Sequence, residues 1–531
     1  MRYDRRDWIS LGVLAAVAGV LLLSDLGEPF LWQDEAQTAV ISRTILSDGV
    51  PRGSDGLNYF SQELGAEYAE DHLWRWHTWL SFYAVAGAFA SLGESTAVAR
   101  LPFALLALAT VLLAYGVGRS LWRSQDAALA AGSLLALSVP FLLLGRQCRW
   151  YAMAAFFALL GMHAYGRMGP GERRHSLMLF VAVSLLFHTH YFYTATLLAT
   201  LLVHSLWLER QRFSRVFGVS AAVTVVNAPW IVWFSEIRYG EAYSDDLTSF
   251  ASSWETGLQL TQDFFVYFLS PILLAIPVVL GVLWGVRRLR GAGEGRLGLS
   301  RETASGVALL TIFSALTLVA LALVSPGAYF RYLTPLAAPA MLLGGLLLAS
   351  LAGVSRVAAV ALFALWISLS PIRDFAYEIT HDFDGPVEGI VRFLQIRARP
   401  GDRVAITYGD MPLKFYTKLR VIGGLTGEDL REAEGAEWII IRHHAQKDPK
   451  WNARAILAGY VVPEDYRRYV LSESDTPFEN REDPRSHRYR TVTKVSPVVI
   501  LGKTDEARAR DGRSSRSEAE RPDGVAFAGV L

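Results

Sequence analysis

Charge is what this sequence has least of. Only 19% of its 531 residues are Asp, Glu, Lys or Arg, against roughly 25% in soluble domains, while 52% are hydrophobic. Runs of about 17 to 25 residues pass almost without charge, the length a helix needs to cross a hydrocarbon core of roughly 30 Å. The pattern predicts a polytopic membrane protein. The single cysteine, Cys148, excludes an intrachain disulfide. Lys and Arg number 51 against 50 Asp and Glu, so no global field recruits nucleic acid. No Walker, Rossmann or zinc-finger spacing is present, and no internal repeat.

What is there is a series of apolar segments, near residues 8–24, 76–92, 98–118, 127–144, 150–166, 176–187, 191–208, 216–235, 262–286, 303–324, 330–350 and 353–371. The first follows Arg5 and Arg6 but lacks a small-x-small cleavage site, so it reads as a retained helix rather than a signal peptide. Basic residues mark cytoplasmic loops. The clusters Arg2/Arg5/Arg6, Arg119/Arg123, Arg167/Arg173/Arg174, Arg210/Arg212/Arg215 and Arg287/Arg288/Arg290/Arg296 fall on one side only if one early segment does not span. Segment 76–92, with Trp76, His77, Trp79 and Tyr83, suits the headgroup layer best. The expected fold is therefore an all-α polytopic membrane domain over 1–372. It has about eleven transmembrane helices, outer juxtamembrane helices and a cytoplasmic N-terminus. Residues 25–97 form an outer loop whose stretch 25–75 is strongly acidic. A soluble, extracytoplasmic α/β domain follows over 373–503, since helix-like V-E-G-I-V-R-F-L-Q-I-R and P-L-K-F-Y-T-K-L alternate with strand-like R-V-A-I-T-Y and E-W-I-I-I-R. The charged tail 504–531 is expected to be disordered.

This topology gathers polar residues from distant segments at the outer ends of the spans. They are Asp34 and Glu35; His72, Trp74 and His77 in D-H-L-W-R-W-H; Arg146, Arg149 and Tyr151 in G-R-Q-C-R-W-Y; His188 and His190 in H-T-H-Y-F; and Arg331 and Tyr332 in Y-F-R-Y-L. Asp34 has a structural reading, as the N-cap of the amphipathic helix that follows with Gln37 completing a capping box. It also has a functional one, as a base toward a hydroxyl or amine, or a ligand to a divalent cation. Arg146 and Arg149 share a helix face if the helix begins that early, and with Arg331 they are candidates for gripping a phosphate. The H-x-H pair is as readily a pair of interface histidines as a metal site. The aromatics Trp74, Trp76, Trp79, Trp150 and Tyr151 suit an interfacial belt or the stacking of a sugar.

D-E-A after the first span, A-R-L-P-F-A-L at 99–105, L-S-V-P-F-L-L-L-G-R-Q-C-R-W-Y-A-M at 137–153, H-T-H-Y-F at 188–192 and F-R-Y-L-T-P-L at 330–336 resemble the bacterial protein-mannosyltransferase-like glycosyltransferases. This GT-C group includes the aminoarabinose transferases. The resemblance covers about residues 1–370 and implies a bacterial inner-membrane enzyme. Such an enzyme takes a polyprenyl-phosphate sugar donor, acts at the outer face with inversion, and serves a glycolipid, polysaccharide or protein acceptor. It implies Asp34 as base with Glu35 in support, and Arg146, Arg149 and Arg331 for the departing phosphate. Relatives usually carry Lys-Pro-Pro or His-Pro-Pro before the surface helix, where this sequence has D-H-L-W-R-W-H-T-W. A transporter or flippase of a lipid-linked saccharide is the alternative. It would place ionisable groups at mid-membrane and often show inverted repeats, whereas here charges sit at the ends of clean spans. A binding or assembly protein using the α/β domain is a third reading.

Overall fold

The computed structural model describes residues 3–169, 172–235, 250–289, 300–325, 327–424, 427–442, 453–475 and 496–510. These fall into two units, one within Met1–Ser54 and Ala66–Phe383, the other within Asp55–Gly65, Asp384–Glu479 and Val492–Leu531. Arg290 and Arg296 of the last basic cluster lie outside the described residues, as does the tail beyond 510.

The first unit is a helical membrane bundle: α1 (Arg5–Leu23), α2 (Gln33–Asp48), α3 (Leu80–Leu92), α4 (Thr96–Trp122), α5 (Gln125–Ala136), α6 (Val139–Gly145), α7 (Tyr151–Gly166), α8 (Arg173–Phe187), α9 (Tyr191–Trp207), α10 (Arg210–Ser235), α11 (Phe250–Asp263), α12 (Pro271–Leu289), α13 (Arg301–Val324), α14 (Ala337–Val354) and α15 (Arg356–Leu369). Among the described residues, five helices are long and apolar enough to cross a membrane, or up to eight if each bent pair is one span. Segment 76–92 yields α3, whose 13 residues fall short of the roughly 20 that a span needs.

Several expected continuous spans are broken, each with a local cause. Segment 127–144 bends by 61° between α5 and α6, where Pro140 sits in the first turn of α6 and has no amide with which to continue the preceding helix. Segment 262–286 bends by 72° at Ser270, whose φ of 56° ends the helix ahead of Pro271. Segment 330–350, by contrast, stays within one candidate span, Phe330–Val354, although it opens as a 3-10 turn over Phe330–Leu336 with Pro335 inside it.

Elsewhere capping and close packing hold the bundle. Asp4 and Asp7 form a reciprocal capping box at the start of α1. Buried Asp7 also accepts Tyr115 Oη at 2.6 Å and Arg119 Nε at 2.8 Å, which joins α1 to the far end of α4. Helices α5 and α14 meet through Gly345: a Cβ there would lie 2.5 Å from the Ala131 amide nitrogen and 2.7 Å from the Ala127 carbonyl oxygen. Small residues let membrane helices approach backbone to backbone.

The second unit carries a five-stranded mixed sheet of order β2-β1-β3-β5-β4, with β1 (Arg403–Ile406), β2 (Arg420–Gly423), β3 (Trp438–Ile440), β4 (Tyr466–Ser474) and β5 (Pro497–Lys503). β1 runs parallel to β2 and β3, and β5 antiparallel to β3 and β4. The helix-like stretches form Pro386–Arg397 and Asp410–Tyr416, as the alternation predicts. Residues 55–65, from the first long loop, belong to this unit. Asn58 donates to Leu419 O at 3.1 Å and accepts the Val421 amide at 2.7 Å. Lys414, fully buried with Asp410 at 2.6 Å, also donates to Tyr59 O. Of the tail expected to be disordered, residues 505–510 are helical. Arg508 there donates to both carboxylate oxygens of Asp402, at 2.8 and 3.2 Å, and the new charge pairing stabilises a segment that composition alone reads as unstructured.

Gly345→Ala forces the α5 and α14 backbones apart and is expected to cost about 1–3 kcal/mol, read as a lower Tm of the detergent-purified protein.

Candidate active site

The site begins with a pair of adjacent residues that point in different directions. Glu35 is buried. Its carboxylate takes Arg100 Nε at 2.8 Å and Nη2 at 2.6 Å, and the Cys148 amide at 2.7 Å. Arg100 uses its remaining N–H groups on the carbonyls of Leu26, Glu28, Pro29 and Phe30. One planar fork thus ties the chain entering α2 to α4 and to the break between α6 and α7. Arg100 is the site residue that sequence reasoning passed over. The available signal was an arginine in the first turns of an otherwise apolar helix, a place where an ionisable group needs a partner.

Asp34 does not cap α2. The helix starts at Gln33, its N-cap is Trp32, and no side chain caps it. Nor is α2 a half-buried surface helix: Gln33, Gln37, Thr38 and Ser42 are buried along with Ala36, Val40 and Ile41. With the acid beside it turned into Arg100, Asp34 faces two guanidiniums, Arg149 Nη2 at 3.6 Å and Arg331 Nη2 at 3.9 Å. These distances exceed the 2.7–2.9 Å of a tight charge-assisted bond. Arg149 is further held by the Asp34 carbonyl at 3.2 Å and Thr38 Oγ1 at 3.1 Å. Burial works against its charge, yet Asp34 and then Tyr151 outweigh it and raise the Arg149 pKa. Arg331 lies over the Tyr329 ring at 4.3 Å and the Tyr332 ring at 5.6 Å.

Aromatic groups from other segments wall this recess. Trp150 packs 4.7 Å from Tyr151, 4.2 Å from His190, 5.5 Å from Tyr193 and 6.1 Å from Tyr332, and Tyr193 Oη donates to Tyr332 O at 2.7 Å. His77 stacks on Trp74 at 6.4 Å. Burial, and then the charges of Arg149, His190 and Arg331, lower its pKa. Desolvation followed by Arg149 lowers His190 to about 3. Both imidazoles are therefore neutral near pH 7.

The remaining sequence candidates make other contacts. Arg146 and Arg149 share no helix face, because α6 ends at Gly145 and α7 begins at Tyr151. Arg146 instead donates to Ser24 O and Asp25 O, both at 2.7 Å, and lies over Phe375 at 5.9 Å. His188 packs on Trp230 at 5.3 Å, and His72 on Tyr68 at 5.4 Å. A divalent cation does not fit at Asp34. Two guanidiniums already compete for the carboxylate, and among the described residues no three His, Cys, Asp or Glu side chains converge.

No family model matches the sequence, and no curated protein matches it. Solved structures do. ArnT from Cupriavidus metallidurans, bound to undecaprenyl phosphate, aligns over 94% of this chain and 98% of its own, at 15% identity and a TM-score of 0.51. The archaeal oligosaccharyltransferase AglB from Archaeoglobus fulgidus, in complex with an inhibitory peptide and a dolichol-phosphate, aligns over 90% and 75%, at 12% identity and a TM-score of 0.51. The chain has the GT-C fold. Mycobacterial arabinofuranosyltransferase AftD also shares it, at 16% identity and a TM-score of 0.52, over 94% of this chain and 40% of AftD. Within this GT-C fold, the Asp34 recess lies at one end of the bundle, where α2, α7 and α9 begin.

Two outcomes check the geometry. Glu35→Gln removes the charge that neutralises Arg100 and is expected to cost about 3–5 kcal/mol, seen as a lower Tm. His190, neutral in the folded chain, has an ordinary value of 6.5 once unfolded, so the unfolded chain takes up a proton that the folded chain refuses as pH falls from about 6.5 toward 3. Stability held above pH 6.5 is lost through that window, and the drop in Tm from pH 7 to pH 5 should be smaller in His190→Gln.

Proposed function

We propose that this protein is a glycosyltransferase that moves a sugar from a polyprenyl-phosphate donor to a glycolipid, polysaccharide or protein acceptor at the outer face of a bacterial inner membrane. The observation that carries the reading is Asp34, a carboxylate inside the first turn rather than at the N-cap of its helix, faced at 3.6 and 3.9 Å by guanidiniums from two distant segments. Support comes from two proteins of the same fold, one bound to undecaprenyl phosphate and one in complex with a dolichol-phosphate.

The chemistry needs two opposite things close together: a base near the nucleophile and positive charge where the leaving phosphate gathers its electrons. The acceptor oxygen attacks the anomeric carbon as its proton passes to the Asp34 carboxylate. The bond from that carbon to the phosphate oxygen breaks, and its electron pair stays with the phosphate between Arg149 and Arg331. Inversion at the anomeric carbon follows from this single displacement. Partly exposed Tyr332 and His77, backed by buried Trp150 and Trp74, offer the ring faces on which a sugar stacks, and neutral His77 and His190 leave the positive charge to the arginines. Glu35, through Arg100, positions the helix that bears Asp34. Arg146, engaged with the end of α1, acts as a structural residue in this scheme, and His72 and His188, packed on Tyr68 and Trp230, take no part in it.

The experiment is deletion of the gene in its host, followed by mass comparison of envelope glycolipids, polysaccharides and glycoproteins. One sugar should be missing, restored by the wild-type gene and not by Asp34→Asn at equal membrane abundance. Arg149→Gln and Arg331→Gln should each lower transfer by about 10²–10³-fold. Full transfer by Asp34→Asn removes the assignment.

A further inference from the structure

A second polar site lies at the opposite end of the same helices. A cavity of about 640 Å³ opens among the C-terminal ends of α4, α7 and α9 and the N-terminal ends of α8, α10 and α13. Its volume is in the range of small-molecule sites, about 300–1,000 Å³. Helix α7 joins the two ends: Tyr151 at its start belongs to the Asp34 recess, and Tyr165 near its end lines the cavity. At a rise of about 1.5 Å per residue along this helix they lie about 21 Å apart.

The cavity is lined by five arginines, Arg123, Arg167, Arg173, Arg174 and Arg212. Its three acids, Glu172, Glu209 and Glu302, leave the lining with an excess of two positive charges and are each engaged by another lining residue. Glu302 pairs with Arg123 at 2.8 Å, Glu172 with His175 at 2.5 Å, and Glu209 accepts the Ser305 hydroxyl at 3.1 Å. Among the described residues, Arg167, Arg173, Arg174 and Arg212 have no carboxylate within ion-pair distance. One wall is built rather than merely charged. His204, 1% exposed, is fixed by Tyr165 Oη at 2.7 Å on Nδ1 and Ser305 O at 2.9 Å on Nε2. Tyr165 in turn carries the Arg212 guanidinium at 5.3 Å over its ring. The Nε of Arg212 is buried with no hydrogen-bond acceptor among the described residues.

Arginines that only retain a loop at the membrane surface lie in the headgroup layer. They do not require a buried His–Tyr wall or a cavity between six helices. We propose that this cavity binds a phosphate-bearing anion, held by Arg167 and Arg212 with Arg173 and Arg174 at its rim. Guanidiniums offer a forked donor pattern that matches phosphate oxygens. The inference is independent of the transfer reading, since none of its residues belongs to the Asp34 recess.

The test uses the full chain in neutral detergent with two probes, inorganic phosphate and dioleoylphosphatidic acid, and dioleoylphosphatidylcholine as the control lipid. Calorimetry and the shift in Tm report binding. At least one phosphate probe should bind near one equivalent and raise Tm. Arg167→Gln/Arg212→Gln should weaken it by at least about tenfold, while Arg5→Gln/Arg6→Gln, two charges from the N-terminal cluster, should leave it unchanged. Binding of phosphatidic acid without competition from free phosphate names a lipid headgroup as the source. Competition names the free anion as a second occupant. Should Arg167→Gln/Arg212→Gln fail to fold, the exposed pair Arg173→Gln/Arg174→Gln carries the same comparison with an expected loss in the same direction. Absence of binding by both probes overturns the proposal, as does an equal loss in Arg5→Gln/Arg6→Gln, which would mark diffuse surface attraction.

Discussion

The buried fork between Glu35 and Arg100 is the contact on which the rest of the recess depends. Two charges in an apolar bundle are costly to desolvate, and they persist only where geometry and added hydrogen bonds compensate. Here the compensation is nearly complete: two N–H donors meet one carboxylate, the Cys148 amide adds a third, and four loop carbonyls take what remains of the guanidinium. The pair thus joins three pieces of chain that share no secondary structure: the approach to α2, the body of α4 and the break before α7. Because consecutive helical residues project about 100° apart, turning Glu35 into that contact turns Asp34 toward the recess. A carboxylate that is 13% exposed stands next to one that is 1% exposed, and in the proposed reaction the first is the base and the second its support.

The arrangement of charge around Asp34 has a direct electrostatic logic. A lone arginine beside a carboxylate would neutralise it; two at 3.6 and 3.9 Å make a region of net positive charge with a base inside it. An anion entering there meets guanidiniums already oriented by Thr38, the Asp34 carbonyl and the Tyr329 and Tyr332 rings, so little reorganisation is required on binding. Neutral imidazoles at His77 and His190 follow first from their burial and then from the same field, since protonating either would add a third cation to a desolvated pocket.

Much of the architecture was legible because hydrophobic periodicity and charge placement are strong signals. The helical bundle and the alternating elements of the sheet followed from them. So did the meeting of Asp34, Arg149, Arg331, His77 and His190, which came from listing polar residues at one end of the segments. What could not be read depended on tertiary partners. D-E-A-Q fits a capping box, but the helix begins one residue before the aspartate, and no local rule sets that register. Arg146 and Arg149 look equivalent in sequence, yet the break from 146 to 150 sends one to the end of α1 and the other to Asp34. Residues 55–65 look like ordinary loop, and only the sheet edge at Leu419 and Val421 shows why Asn58 is there.

The central claim is that Arg149 and Arg331 receive the phosphate of a polyprenyl carrier beside Asp34. The most direct measurement is an experimental structure of the full chain with undecaprenyl phosphate bound. The account predicts phosphate oxygens within about 3 Å of both guanidiniums, with the lipid chain leaving toward the bilayer. A phosphate seated away from Arg149 and Arg331, with Asp34 unchanged in its surroundings, would contradict it.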